Sequence, residues 1–84
     1  MVYVDDAAIM WRGKKRFHMT ADSLEELHAF AAQIDIKPCW FHRGARHPHY
    51  DITEPQRLQV IESGGQAVSQ RELLRVALRL VTTP

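Results

Sequence analysis

The stretch FHMTADSLEELHAFAAQI, Phe17–Ile34, decides the fold because its periodicity changes in the middle. Phe17 to Ala21 reads as a short strand. At Ser23 the pattern becomes helical: Ser23-Leu-Glu-Glu26 has the form of a capping box, in which the Ser23 hydroxyl and the Glu26 carboxylate each accept a hydrogen bond from an unpaired backbone N–H. Leu24, Leu27, Ala31 and Ile34 then recur at three- and four-residue steps, so one stripe of the helix faces a core. His28 falls on the edge of that stripe, away from Glu25 and Gln33.

Working outward, Val2–Val4 is β-branched and aromatic and ends at Asp5-Asp6, which marks a short strand with two carboxylates at its end. Trp11–His18 places Arg12, Lys14, Lys15 and Arg16 around Gly13 and reads as a basic turn or solvated loop. Pro38–Pro48 fits neither period. It holds Trp40, Phe41, His42, Arg43, Arg46 and His47 between prolines and Gly44, and reads as a loop with aromatic anchors. Thr53-Glu-Pro-Gln56 opens a second helix that Gly64-Gly65 ends. Ala67-Val68 is a last strand candidate, and Ser69-Gln-Arg-Glu72 opens a third helix carrying Leu73, Leu74, Ala77, Leu78 and Val81. Strands each followed by a helix define an α/β domain, residues 1–84, with a short sheet of about three strands covered by about three helices.

Composition supports one globular unit. The chain has 84 residues, 45% of them hydrophobic and 25% charged, with a formal net charge of +1. These values exclude collagen-like and wholly disordered chains. The single cysteine, Cys39, cannot form an intramolecular disulfide or build a zinc finger, and is expected to be a reduced thiol in a cytoplasmic protein. No apolar run approaches the roughly 20 residues of a spanning helix, and the N-terminus carries acids where a signal peptide carries bases, so no membrane partner is expected. A pI near 8.0 argues against a general nucleic-acid coat.

The chemistry lies in histidine and aspartate. Five histidines occur, and His42, His47 and His49 fall close together with Asp51 just behind. In an extended segment His47, His49 and Asp51 share a face, a donor set that suits zinc, manganese or iron(II), with Asp5, Asp6 or His18 available to complete the shell. The alternative is that these histidines merely solvate a loop. His28 is either a packed helix-edge residue or, if it faces His49 and Asp51, half of an acid–base pair. The basic segment, flanked by Trp11 and Phe17, offers phosphate neutralisation beside stacking surfaces, or is a solvated turn. Trp40 and Phe41 are core residues or the wall of a pocket.

The pieces VYVDDA, WRG, FH, ADSLEELHAFA, WF, HYD and SGGQAVSQREL, in this order and over most of the chain, resemble the family catalogued as domain of unknown function 4031, small bacterial and phage proteins. The resemblance implies one site lined by Asp5, His18, Asp22, His28, His49, Tyr50 and Asp51. His47 lies in the insertion-like RGARHP stretch and outside the family's His-Tyr-Asp pattern, which argues against the His47, His49, Asp51 face and rests the site on His49 and Asp51 with His18, His28 and Asp5. Gly64-Gly65 stands where relatives tend to have Gly-Ala, a change expected to matter little.

Three functions follow. One is a metal-assisted hydrolase of a nucleotide or other phosphate-containing substrate, with His28, His49 and Asp51 catalytic, Asp5, His18 and His49 holding a divalent metal, and Arg12, Lys14, Arg16, Asp22, Tyr50 and Trp40 binding the ligand. Another is a non-catalytic module for a nucleotide or nucleic-acid end, including a phage host-interaction protein. The third is an interaction protein with a buried His/Asp network. The final helix is apolar on more than one face, so a homodimer is expected.

Overall fold

A computed structural model describes residues 1–42 and 47–82, and the side chains of Val81 and Thr82 are not described. Arg43, Gly44 and Arg46 of the expected loop, and the side chain of Val81 from the expected helical stripe, therefore lie outside the described residues. Strands β1 (Val2–Val4), β2 (Ile9–Trp11) and β3 (Lys14–Ala21) precede helix α1 (Leu24–Gln33). A turn of 3-10 helix, Pro38–Trp40, leads into β4 (Phe41–His42) and β5 (His49–Thr53), followed by α2 (Glu54–Glu62), β6 (Gln66–Ala67) and α3 (Gln70–Thr82). The sheet runs β4-β5-β3-β1-β6, with β2 paired to β3. Its pairings are antiparallel except that of β6 with β1.

The described residues thus form an α/β domain with six strands, where about three were expected. The largest difference lies at the basic segment. Instead of a solvated loop, Lys14–Ala21 is one strand of eight residues. The turn is confined to Arg12 and Gly13, with φ of 50° and 79°, a two-residue hairpin loop of the type whose twist suits the flanking strands. The alternation of β3 is real but hidden, because its outer end carries Lys14, Lys15 and Arg16 where a half-buried strand usually shows an apolar residue at every second place. β2 is exposed at all three residues and gives no alternation.

The helix starts were legible. Thr53 and Gln56 form the reciprocal capping box at α2 (3.3 and 2.8 Å), and Ser23 and Ser69 accept from the N–H of Glu26 and Glu72 at 3.1 Å. At α1 only half of the expected box forms, because the Glu26 carboxylate pairs with the N-terminal ammonium instead.

The sheet separates two layers. Val2, Val4, Phe17, Met19, Ala21, Tyr50 and Ile52 point to one face, where Leu27 and Ala31 of α1 and Val60 of α2 close the core. On the other face α3 buries Leu73, Val76 and Ala77, while Leu74 and Leu78 stay exposed. Since α3 covers only part of that face, the outer ends of β3 and β5 remain open. Among the described residues no helix is long and apolar enough to cross a membrane.

Gly65 corrects the expectation that an alanine there is neutral. A Cβ on Gly65 would stand 2.4 Å from Val60 Cγ1 and 2.8 Å from the Val60 carbonyl oxygen, and Val60 is fully buried. We expect Gly65→Ala to lower unfolding free energy by about 1–3 kcal/mol in urea titrations, the usual cost of overpacking.

Candidate metal centre

Asp5 follows β1 directly, at the point where the neighbour of β3 changes from β1 to β2. The ladder is interrupted there, and the Asp5 carboxylate fills the gap. Its Oδ1 accepts from the backbone N–H of His18 (2.9 Å) and Ala7 (3.3 Å), while Oδ2 meets His18 Nδ1 at 2.7 Å. The Asp5 N–H in turn donates to the His18 carbonyl at 3.0 Å. Burial alone would push the Asp5 carboxyl up, but the hydrogen bonds from the His18 ring and backbone, with the His18 charge, hold it below the ordinary value. The hydrogen bond to Asp5 raises the His18 pKa against the opposing effect of desolvation.

With Nδ1 committed to Asp5, His18 presents Nε2 to the open face. The β3–β5 register sets His18 opposite Asp51, and Nε2 lies 3.9 Å from Asp51 Oδ1. His49 is fixed in the same manner. Its Nδ1 donates to the His47 carbonyl at 2.8 Å, leaving Nε2 at 3.3 Å from Asp51 Oδ1. Desolvation, opposed by the hydrogen bond to the His47 carbonyl, lowers the His49 pKa. The His18, His49 and Asp51 ligand atoms all lie within 4.8 Å of one another. His42, paired with His49 across β4 and β5, places its Nε2 at 2.8 Å from Asp51 Oδ2 and stacks on His49 at 5.1 Å.

Two imidazole nitrogens, each with its second nitrogen anchored to a carboxylate or carbonyl, and one carboxylate form a donor set typical of divalent metal sites. Bonds of about 2.0–2.2 Å need the three atoms closer together, an inward shift of roughly an ångström that side-chain rotation can supply.

His18, His42 and Asp51 of this cluster line a cleft of about 220 Å³ together with Ile9, Trp11, Arg16 and Trp40. Trp11 and Trp40 meet edge to face at 6.1 Å, and the Arg16 guanidinium lies 5.2 and 4.4 Å from their ring centres. Arg16 Nε is buried without a hydrogen-bond partner among the described residues.

Of the other expected site residues, His28 lies across the sheet from this cleft, whereas Asp22, Lys14, Arg12 and His47 do not line it. His28 lies on the core face, its Nδ1 at 2.7 Å from the Tyr50 hydroxyl and its ring 4.6 Å from Phe41. It therefore does not face His49 and Asp51, because Tyr50 alternates with both along β5. Asp22 accepts from the Tyr3 hydroxyl and pairs with the N-terminal ammonium. Lys14 lines a different hollow, with Lys15, Thr53 and Glu54. Arg12 sits at the hairpin tip, 4.7 Å over Trp11. His47 precedes β5 and lines a hollow against α3 with Asp5 and His18. Two residues of this arrangement were missed as site residues. His42 required knowledge of the β4–β5 pairing. Arg57, whose Nε donates to the Asp5 carbonyl at 2.8 Å, required the docking of α2.

The fold and cleft define a small α/β domain with a His/Asp cluster on the open face of a largely antiparallel sheet. The chain belongs to the family described as Protein of unknown function (DUF4031), which it matches over residues 2–80. No curated protein and no solved structure matches it significantly.

The opposed shifts of Asp5 and His18 set a pH window. The Asp5 contribution is complete above its ordinary pKa of 3.8 and is lost as pH falls through its depressed value, whereas the His18 contribution is complete below 6.5 and is lost as pH rises through its raised value. Asp5→Asn keeps an acceptor for the two backbone N–H groups but removes the charge. In urea unfolding of metal-free protein, the stability difference between wild type and Asp5→Asn should be largest from about pH 4 to 6.5 and shrink on either side.

Proposed function

We propose that this chain is a small metal-dependent hydrolase acting on a phosphate ester. The observation that carries this reading is the convergence of His18 Nε2, His49 Nε2 and the Asp51 carboxylate beside a cleft lined by His18, Asp51 and Arg16, the last with an unused N–H. Zinc or manganese suits these donors. A bound ion supplies Lewis acidity and a more acidic water. His42, half-exposed and hydrogen-bonded to Asp51 through Nε2, would take a proton from water made more acidic by an ion that His18, His49 and Asp51 would hold. The water oxygen bonds to phosphorus, the ester P–O bond breaks, and the leaving oxygen takes a proton from solvent. Arg16, whose guanidinium lies within 5.2 Å of both indole centres, holds the phosphate oxygens with its in-plane N–H groups. In this reading His28 has no part in the chemistry.

The aromatic wall formed by Trp11 and Trp40 favours a second reading, in which the same cleft captures a nucleotide without turning it over.

Elemental analysis and thermal unfolding test the metal. At a hundredfold excess over Kd, zinc or manganese should raise Tm by about 10 °C or more in a domain of this size. Chelator should reverse the shift, and Asp51→Ala or His18→Ala should abolish it. Asp5→Asn should keep the fold yet weaken metal binding about 10- to 100-fold, because the amide no longer accepts from Nδ1–H and the lone pair on Nε2 is no longer enforced. Metal binding with release of product from a phosphate-ester panel supports the hydrolase; saturable binding without release supports the capture module. Absence of any metal-dependent shift would overturn the metal reading.

A further inference from the structure

We propose that the ligand of this cleft carries at least two linked phosphates, the second of them held by Arg12 at the tip of the β2–β3 hairpin. This rests on the reading of the cleft as a phosphate site, but not on the metal. Arg12 and Arg16 both lie against Trp11, at 4.7 and 5.2 Å from its ring centre. A guanidinium resting on an indole uses its flat face and leaves its in-plane N–H edges free, the edges that grip phosphate oxygens in pairs. Indole contact also limits the wandering of a long side chain, which lowers the ordering cost on binding.

Neither arginine is paired with a carboxylate among the described residues, although Asp and Glu side chains elsewhere pair with the N-terminus and with histidines. Arg12 also holds a left-handed turn position, φ 50°, that asparagine or glycine fills at lower cost. The cavity of about 220 Å³ is smaller than most sites for a whole small molecule, so a ligand anchored at the cluster extends outward, and the Arg12 guanidinium rests on Trp11, one of the residues that line the cleft. A single phosphate satisfies Arg16 and leaves Arg12 unused. Linked phosphates engage both, whether the link is an anhydride or a phosphodiester.

Isothermal titration separates these. Inorganic phosphate, pyrophosphate and the 5′-phosphorylated dinucleotide pTpT are titrated first into chelator-treated protein, where no loose ion can be sequestered by the probe, and then into zinc-loaded protein. At least one linked-phosphate probe should bind about tenfold or more tighter than inorganic phosphate, the lower end for an added charge-assisted hydrogen bond. A preference for pyrophosphate identifies an anhydride ligand, and a preference for pTpT identifies a strand end. Arg12→Gln should remove the advantage and Arg12→Lys should restore only part of it, with zinc affinity unchanged in both. If the advantage survives in metal-free protein while zinc fails to bind, the metal reading falls and this one stands. If neither linked probe binds tighter than inorganic phosphate, or if Arg12→Gln keeps the advantage, the proposal is overturned.

Discussion

A buried carboxylate in the middle of a sheet is costly, because taking it out of water carries a penalty of several kcal/mol that only good geometry offsets. Asp5 meets that demand with two backbone N–H groups and an imidazole, all supplied at one break in the ladder. β3 is longer than either strand on that edge: β1 pairs with its end and β2 with its beginning. The chain must leave the edge after Val4 and rejoin it at Ile9, passing through Ala8 at φ 50°. Asp5 satisfies the His18 N–H that the departing strand would otherwise leave without an acceptor. Arg57 secures the same point from the other layer, donating to the Asp5 carbonyl while its guanidinium lies over Phe17. The residue that closes the sheet is thus also the one that fixes which nitrogen of His18 is free. Fold and candidate chemistry share one carboxylate.

The sheet then acts as a partition. Side chains alternate along β5, so Tyr50 and Ile52 enter the core while His49 and Asp51 face the other way. α1 and α2 fill the first face completely. α3 covers part of the second face, packing chiefly against β3, and buries Leu73, Val76 and Ala77. The hairpin and the Pro38–Trp40 turn supply walls to the uncovered part instead of a roof. His28 and Tyr50 form a polar contact of their own against the core face, and desolvation raises the Tyr50 pKa, consistent with a packed hydroxyl. The distance between the two groups of histidines is therefore a consequence of strand alternation.

This alternation also explains what could be read from the sequence. The three helices, their caps and the strand at Val2–Val4 follow from local signals, since capping residues and apolar steps act within a few positions. His49 and Asp51 could be placed on one face because they are two apart. The same alternation turns Tyr50 to the opposite face, whereas His28 could not be placed without knowing which side α1 packs on. β2 and β4 were illegible: one is wholly exposed, the other has two residues, and each exists because β3 or β5 offers an edge. Arg16 looked like one of four interchangeable basic residues, and only the folded hairpin and the Pro38–Trp40 turn set it against Trp11 and Trp40, whereas Lys14 lines another hollow. The resemblance to relatives named Asp5, His18, His49 and Asp51 together but also Asp22, His28 and Tyr50, because shared polar residues do not distinguish a packing role from an open one.

Spare bonding capacity offers a sharper criterion than polarity. Asp5, Thr20 and the His49 Nδ1 have their partners within the fold, Thr20 through the Pro48 carbonyl at 3.1 Å. Two buried side-chain atoms among the described residues do not: Arg16 Nε and His47 Nδ1. Such atoms are few in native proteins, since each forfeits a hydrogen bond that water supplied in the unfolded chain. Both belong to residues that border the His18 and His49 rings, one in the open cleft and one in the hollow beneath α3. Free Nε2 atoms on His18 and His49 add nitrogen lone pairs aimed at a single carboxylate. The two atoms thus lie in neighbouring hollows on the face where His18, His49 and Asp51 converge, and among the described residues no other buried side-chain atom lacks a partner. That coincidence separates this corner of the sheet from an ordinary polar surface, where water would satisfy every group.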